Sequence, residues 1–228
     1  MAQLGFGFKT PPRPRKPRRG RPPKRGAGVP HAPRRVDSRH PLHITIRVRD
    51  HVWNLRARRC FRVLERAFFI AAARAGSRLA HFSVQHNHVH LLMEAPDAKT
   101  LGKTLQGLGI RVAKGLNRVM QRKGAVFADR YHARSLRTPT EVRAALVYVM
   151  NNRRKHAFPG ERFDRDFADP CSSAAYLDGW VRPPPRPCGP APVCRPGTWL
   201  LAVGWRERGG GPLRLDEGPT VRGSSRSP

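Results

Sequence analysis

The segment Gln85-His86-Asn87-His88-Val89-His90-Leu91-Leu92-Met93-Glu94 reads as the strand around which the rest of the chain is organised. Side chains two apart on a strand share a face, so His88 and His90 project together while Val89 turns toward a core. Two imidazoles placed in this way can hold one divalent cation and leave positions open for phosphate oxygens and water. A His-x-His pair is equally compatible with a structural role. Glu94 falls on the same face at an even offset, either as a partner behind the histidines or as a surface acid.

The neighbouring segments supply a fold for this strand. Leu42 to Val48 alternates and is rich in β-formers, which predicts a first strand. Leu55, Cys60, Phe61, Leu64, Phe68, Phe69 and Ala72 form a helical stripe that Gly76-Ser77 ends. Leu79 to Val84 and Val89 to Met93 predict two strands joined around Gln85 to Asn87. A second helix is expected from Ala98 to Met120 with Leu101, Leu105, Leu108, Val112, Leu116 and Val119 inward, although Gly102, Gly107, Gly109 and Gly115 weigh against it. Gly124 to Leu136 predicts a fourth strand. Thr138-Pro139-Thr140-Glu141 has capping-box spacing with proline at the first helical position, and opens a helix to about His156. The order β-α-β-β-α-β-α implies an α+β, ferredoxin-like antiparallel sheet with helices on one face and the other face free for a substrate.

Tyr148 and Asn152 are four apart on the last helix and therefore neighbours on it. Val142, Leu146, Val149 and Met150 make the better inward stripe, so Tyr148 and Asn152 lie off it. A phenol is a poor nucleophile near neutral pH, with a pKa of about 10. A cation beside a scissile phosphate changes that balance by polarising the phosphate and stabilising charge that develops there. Asn152 would complete the ligand set or orient the substrate. Tyr131 is a competing candidate for the attacking group, and an ordinary helix tyrosine is the bland alternative for Tyr148. Arg47 and Arg49 alternate on the first strand, Arg130 and Arg134 precede the last helix, and Arg153, Arg154 and Lys155 follow Asn152. All seven are candidate DNA contacts or solvated surface charges.

Three stretches, QHNHVHLLME at 85–94, GAVFADRYHAR at 124–134 and YVMNN at 148–152, resemble the single-tyrosine HUH transposases of bacterial insertion sequences (the IS200-like group). The likeness is greater to the branch called REP-associated tyrosine transposases, and it spans about residues 40–157. It implies the HUH endonuclease fold, His88 and His90 as metal ligands with Asn152, and Tyr148 as nucleophile with Asn152 as its helper. The implied chemistry is cleavage and rejoining of single-stranded DNA at hairpin-marked sites through a 5′-phosphotyrosine, with Mg²⁺ or Mn²⁺ and no nucleotide cofactor. Relatives often follow the helix asparagine with Pro-Val-Arg-Ala-Gly, whereas Arg153-Arg154-Lys155-His156 stands here. Monomer and homodimer both occur in such proteins and stay open.

Composition agrees with a nucleic-acid partner. Lys and Arg number 45 against 15 acidic residues, a formal net charge of +30, and cationic side chains displace the counterions condensed on phosphates. Residues 1–39 hold 12 Lys or Arg, one Asp and eight prolines, and read as a disordered basic arm. Residues 158–228 form a Pro-rich extension with a short helix expected at 197–207, its Trp199 and Trp205 serving as packing residues, and with a disordered end. The longest fully apolar run, Ala67 to Ala73, is far shorter than the roughly 20 residues of a membrane helix. With no secretory leader recognised and no CxxC pair among the four cysteines, a reduced bacterial cytoplasm, near the nucleoid, is expected.

Three rival readings use the same residues. His86, His88 and His90 resemble the signature of histidine-triad nucleotide hydrolases. His43-Ile44-Thr45 and His81-Phe82-Ser83 fit the repeated H-x-[ST] pattern of two-histidine phosphoesterases. A hairpin-binding protein on the same fold, without catalysis, would share the charge and the architecture.

Overall fold

The computed structural model describes residues 36–72, 76–157 and 160–218. Residues 1–35 of the basic arm and the last ten residues lie outside them. Four strands, β1 (Leu42–Arg47), β2 (Arg78–Val84), β3 (His88–Glu94) and β4 (His132–Ser135), form an antiparallel sheet in the order β2-β3-β1-β4. With α1 (Arg58–Ala72) and α2 (Ala98–Val119) this is the α+β, ferredoxin-like arrangement expected from the strand and helix periodicities. No helix among the described residues is long and apolar enough to cross a membrane.

The strands alternate as their period of two requires. Leu42, Ile44, Leu91, Met93, Leu79 and Phe82 face α1 and α2, which contribute Leu64, Phe68, Leu105 and Leu116 to the same core. On α1 the buried residues are Cys60, Leu64, Ala67, Phe68 and Ala71. Phe69, expected inward, is 42% exposed and lies on the opposite side of the helix. The glycines of α2 do not break it. Asp97 caps its start, accepting from the Thr100 amide at 2.8 Å, and at Gly115 an added Cβ would lie 2.3 Å from Val63 Cγ1. That glycine lets the two helices approach closely, which offsets its low propensity.

The second sheet face is not free. The helix α3 (Pro139–Met150) lies against it, burying Val142, Leu146, Val149 and Met150 with Ala80 and Leu92 of the sheet. Thr138 caps α3, and the Glu141 carboxylate reaches one residue further back than a capping box, to the Arg137 amide at 2.7 Å. The helix does not run to His156. It stops at Asn151, whose backbone leaves the helical region, and the short α4 (Asn152–Lys155) follows. The fourth strand is also shorter than expected. Residues 126–128 bond to the chain just past β1 through Arg49 N to Val126 O and Ala128 N to Arg47 O, and only His132–Ser135 joins the sheet proper.

The C-terminal extension docks on this core. Val84 N donates to Cys171 O and Ser173 N to Phe82 O, so the extension occupies the outer edge of β2, which would otherwise offer unpaired backbone groups. Arg56 grips Asp169 with two bonds of 2.8 Å. Glu94 is neither a partner of the histidines nor a surface acid. It is buried and accepts from Gly197 N, Thr198 N and Thr198 Oγ1 at 2.7 to 2.9 Å. That anchor precedes a π-helical turn (Leu200–Gly204) and α5 (Trp205–Arg208), roughly the helix expected at 197–207. Trp205 is fully buried, as a packing residue should be, whereas Trp199 remains 47% exposed. All four cysteines are free thiols.

Candidate functional site

Register determines which side chains meet on the covered face of the sheet. Thr45 stands opposite His90, Arg47 opposite His88, and His43 opposite Leu92. On the other flank of β1, Arg134 is opposite His43 and His132 opposite Thr45. Directly opposed residues share a face, so one end of the sheet gathers His43, Thr45, Arg47, His88, His90, His132 and Arg134. Val89 packs in the core on the reverse side.

The helices α3 and α4 close over this end. The Tyr148 ring is edge-on to His90 with centroids 5.0 Å apart, and 5.8 Å from the ring of His43. His88 and His90 are 4.8 Å apart, nearly perpendicular. His156, at the end of α4, lies 5.7 Å from His88, and Lys155 places its Nζ 5.0 Å from the centre of the Tyr148 ring. Asn152 therefore lies in the chain between two residues that touch the histidine pair. Its side chain is fully buried, and neither Oδ1 nor Nδ2 has a hydrogen-bond partner. His90 Nε2 is the other orphaned atom of this cluster. Buried polar atoms left unpaired are rare and costly, so His90 Nε2 on β3 and the Asn152 amide on α4 are each candidate ligand contacts. Among the described residues no group of three or more His, Cys, Asp or Glu is placed to hold a metal ion. Any metal here would use two imidazoles and an amide.

Electrostatics keep the imidazoles neutral. Burial, followed by the neighbouring His43, His88, His156 and Lys155, holds His90 down at about 2. His88 is held at about 4 by burial, then by His156 and Arg47. His43 is held at about 4 by burial, then by Arg134 and His132. Neutral rings keep a lone pair for a cation. Burial also pushes the Tyr148 phenol above its ordinary value, which deepens its need for help in losing a proton.

The remaining sequence candidates divide. Arg47 and Arg134 flank the site, Arg134 held by Glu141 at 2.8 Å, and Lys155 lies beside Tyr148. Arg49 and Arg130 are exposed, with Arg49, just past the end of β1, donating its Nε to Phe127 O. Arg153 pairs with Glu161, and Arg154 donates to Leu215 O, because the extension folds back along α4. Tyr131 is partly buried against the α1–α2 core. His86 is exposed in the turn before β3 and outside the cluster. The two H-x-[ST] segments lie in matching register on either side of β3, with His43 and His81 both opposite Leu92 and Thr45 and Ser83 both opposite His90, but His81 is buried against Ser173 Oγ at 3.3 Å. Sequence reasoning placed His43 only loosely and missed Thr45, Asn87 and His156 as neighbours of the pair. For Thr45 and His43 the available signal was the alternation of β1.

No family model and no curated protein matches the chain. Among solved structures it is similar to a REP-associated tyrosine transposase bound to a REP hairpin, at 15% identity and a TM-score of 0.46, over 57% of this chain and 75% of that one. It is also similar to a transposase candidate from Deinococcus radiodurans R1, at 15% identity and a TM-score of 0.36, over 48% of this chain and 85% of that one. Both likenesses are distant, and the functional reading rests on the residues of the site.

Proposed function

We propose that the chain is a transposase-type DNA strand transferase that cleaves and rejoins single-stranded DNA at hairpin-marked sites, with Tyr148 as the attacking group. The observation that carries this reading is the Tyr148 ring held against His90, whose buried Nε2 has no partner. A tyrosine needed only for packing would not require such a neighbourhood.

The donor set fits a divalent cation, Mg²⁺ or Mn²⁺, held by His88, His90 and Asn152. When bound, it would supply Lewis-acid polarisation of the scissile phosphate. The chain's own groups do the rest. Tyr148 Oη attacks phosphorus in line, a Tyr148–phosphorus bond forms, and the bond from phosphorus to the 3′ oxygen breaks. The phenol gives up its proton and the departing 3′ oxygen gains one. The phosphodiester energy is kept in the 5′-phosphotyrosine, so the 3′ hydroxyl can reverse the reaction without a nucleotide cofactor. Lys155, with its Nζ 5.0 Å from the Tyr148 ring centre, would favour the negative charge of a phosphate brought to the tyrosine. Arg47 and Arg134 border the same face and suit the phosphate backbone.

The test is cleavage of end-labelled hairpin DNA, taken from around the gene, by the full chain with Mn²⁺. Site-specific nicking that stops on addition of a chelator supports the reading. Nicking that continues at an unchanged rate in chelator removes the metal from it.

A further inference from the structure

A histidine can bind a cation through Nε2 only if its single proton sits on Nδ1, so whatever touches Nδ1 decides whether the ring is ready. Both histidines of the pair have Nδ1 occupied. His88 Nδ1 lies 2.9 Å from Asn87 Oδ1, a carboxamide oxygen that can only accept. The proton is therefore on His88 Nδ1. Asn87 is itself held in place, because its backbone carbonyl accepts from Val48 N at the end of β1. His90 Nδ1 lies 3.2 Å from Thr45 Oγ1 and 3.1 Å from His43 Nε2, both able to accept. Its Nε2 is buried and unpartnered.

The strand register produces this arrangement. Thr45 is the direct cross-strand partner of His90, while His43, opposite Leu92, is its diagonal neighbour on the same face. A shift of one residue would turn both away. The reach of Asn87 comes from its place in the turn that feeds β3, one residue before His88.

We propose that Asn87, Thr45 and His43 are positioning residues that hold His88 and His90 as Nδ1–H tautomers, with both Nε2 lone pairs turned to a divalent cation. The proposal rests on the reading above that this pair binds a metal. Asn87 sets His88, and Thr45 with His43 sets His90. None of the three touches the cation. Outer partners of metal-bound imidazoles commonly contribute 10- to 100-fold in affinity.

The experiment uses the full chain with ¹⁵N-labelled histidine and Mn²⁺ alone as the probe. Two-bond proton–nitrogen correlation of the metal-free protein is expected to show His88 and His90 protonated at Nδ1, and protonation of either ring at Nε2 would overturn the proposal. Titration with Mn²⁺ is expected to show Asn87→Leu binding about 10-fold or more weakly, and Asn87→Asp, which keeps the acceptor, binding at least as tightly as the unmodified chain. Equal affinity of Asn87→Leu and the unmodified chain would overturn it. Absence of Mn²⁺ binding by the unmodified chain would instead overturn the metal reading, and is seen before any variant is made.

Discussion

The ring of Tyr148 meets the ring of His90 edge-on, at 5.0 Å between centroids and 82° between planes. One residue comes from the helix over the sheet and the other from the strand beneath it. The contact joins the proposed nucleophile to the proposed metal ligand, so removing either ligand or cation should stop chemistry while leaving the DNA-binding surface in place. His90→Ala is expected to lower the cleavage rate by roughly 10²-fold or more, the scale for loss of one charge-stabilising group. Hairpin affinity measured by anisotropy should change little. A variant that cleaves normally would show that His90 is a structural histidine.

Glu94 is predicted to secure the extension rather than the chemistry. Its carboxylate takes three hydrogen bonds from Gly197 and Thr198, and hydrogen bonds to charged groups contribute about 1.5–3 kcal/mol each. Glu94→Ala should therefore lose about 2–3 kcal/mol in urea unfolding, allowing for partial recovery by water. Limited proteolysis should cut near residue 197 sooner than in the unmodified chain. An unchanged digestion pattern would mean that the anchor is dispensable.

Two glycines of α2 should respond oppositely to the same substitution. Nothing lies within 4 Å of a Cβ added at Gly102, so Gly102→Ala should stabilise the chain by up to about 1 kcal/mol through helix propensity. At Gly115 the new Cβ would fall 2.3 Å from Val63 Cγ1. The helices must then separate, and a net loss of about 1 kcal/mol is expected once overpacking outweighs propensity. Paired thermal melts decide it, and shifts of the same sign would contradict the packing described.

Acid should destabilise the fold through His81. Burial holds it at about 4 against an ordinary 6.5, so the unfolded chain takes the proton first. The stability this contributes is full above pH 6.5 and is lost as pH falls through 4. Over that window His81→Gln should flatten the fall in unfolding free energy by up to about 1.4 kcal/mol per pH unit, the effect of one proton. His43, His88 and His90 are lowered in the same direction, so a slope remains in the variant. Identical slopes would mean that His81 titrates normally in the fold.

The face shared by His88 and His90 was legible because strand side chains alternate whatever surrounds them, and the start of α3 was legible because Thr138 and Pro139 act locally. The end of that helix was not. Asn151 leaves the helix where its side chain donates to the backbone carbonyls of Arg214 and Glu217, more than sixty residues away, and no local pattern announces such partners. The same fold-back engages Arg153 and Arg154 through Glu161 and the Leu215 carbonyl, partners that no local pattern announces. Glu94 escaped for a related reason: its partners, Gly197 and Thr198, lie beyond a proline-rich stretch with no periodicity to read. The cluster around His90 was half visible. His43 and Thr45 alternate with the core residues of β1, but their approach to His90 depends on a register that only the assembled sheet defines.

The central claim is that Tyr148 becomes covalently joined to DNA, and the most direct measurement is the adduct itself. The full chain would be incubated with Mn²⁺ and labelled single-stranded hairpin DNA, resolved on a denaturing gel, and the shifted band digested for peptide mass mapping. The account predicts a DNA-linked peptide carrying its phosphodiester on Tyr148, absent from Tyr148→Phe and retained in Phe69→Ser, a change on the outer face of α1. Tight hairpin binding with no adduct under any metal condition, or an adduct mapped to another residue, would contradict it.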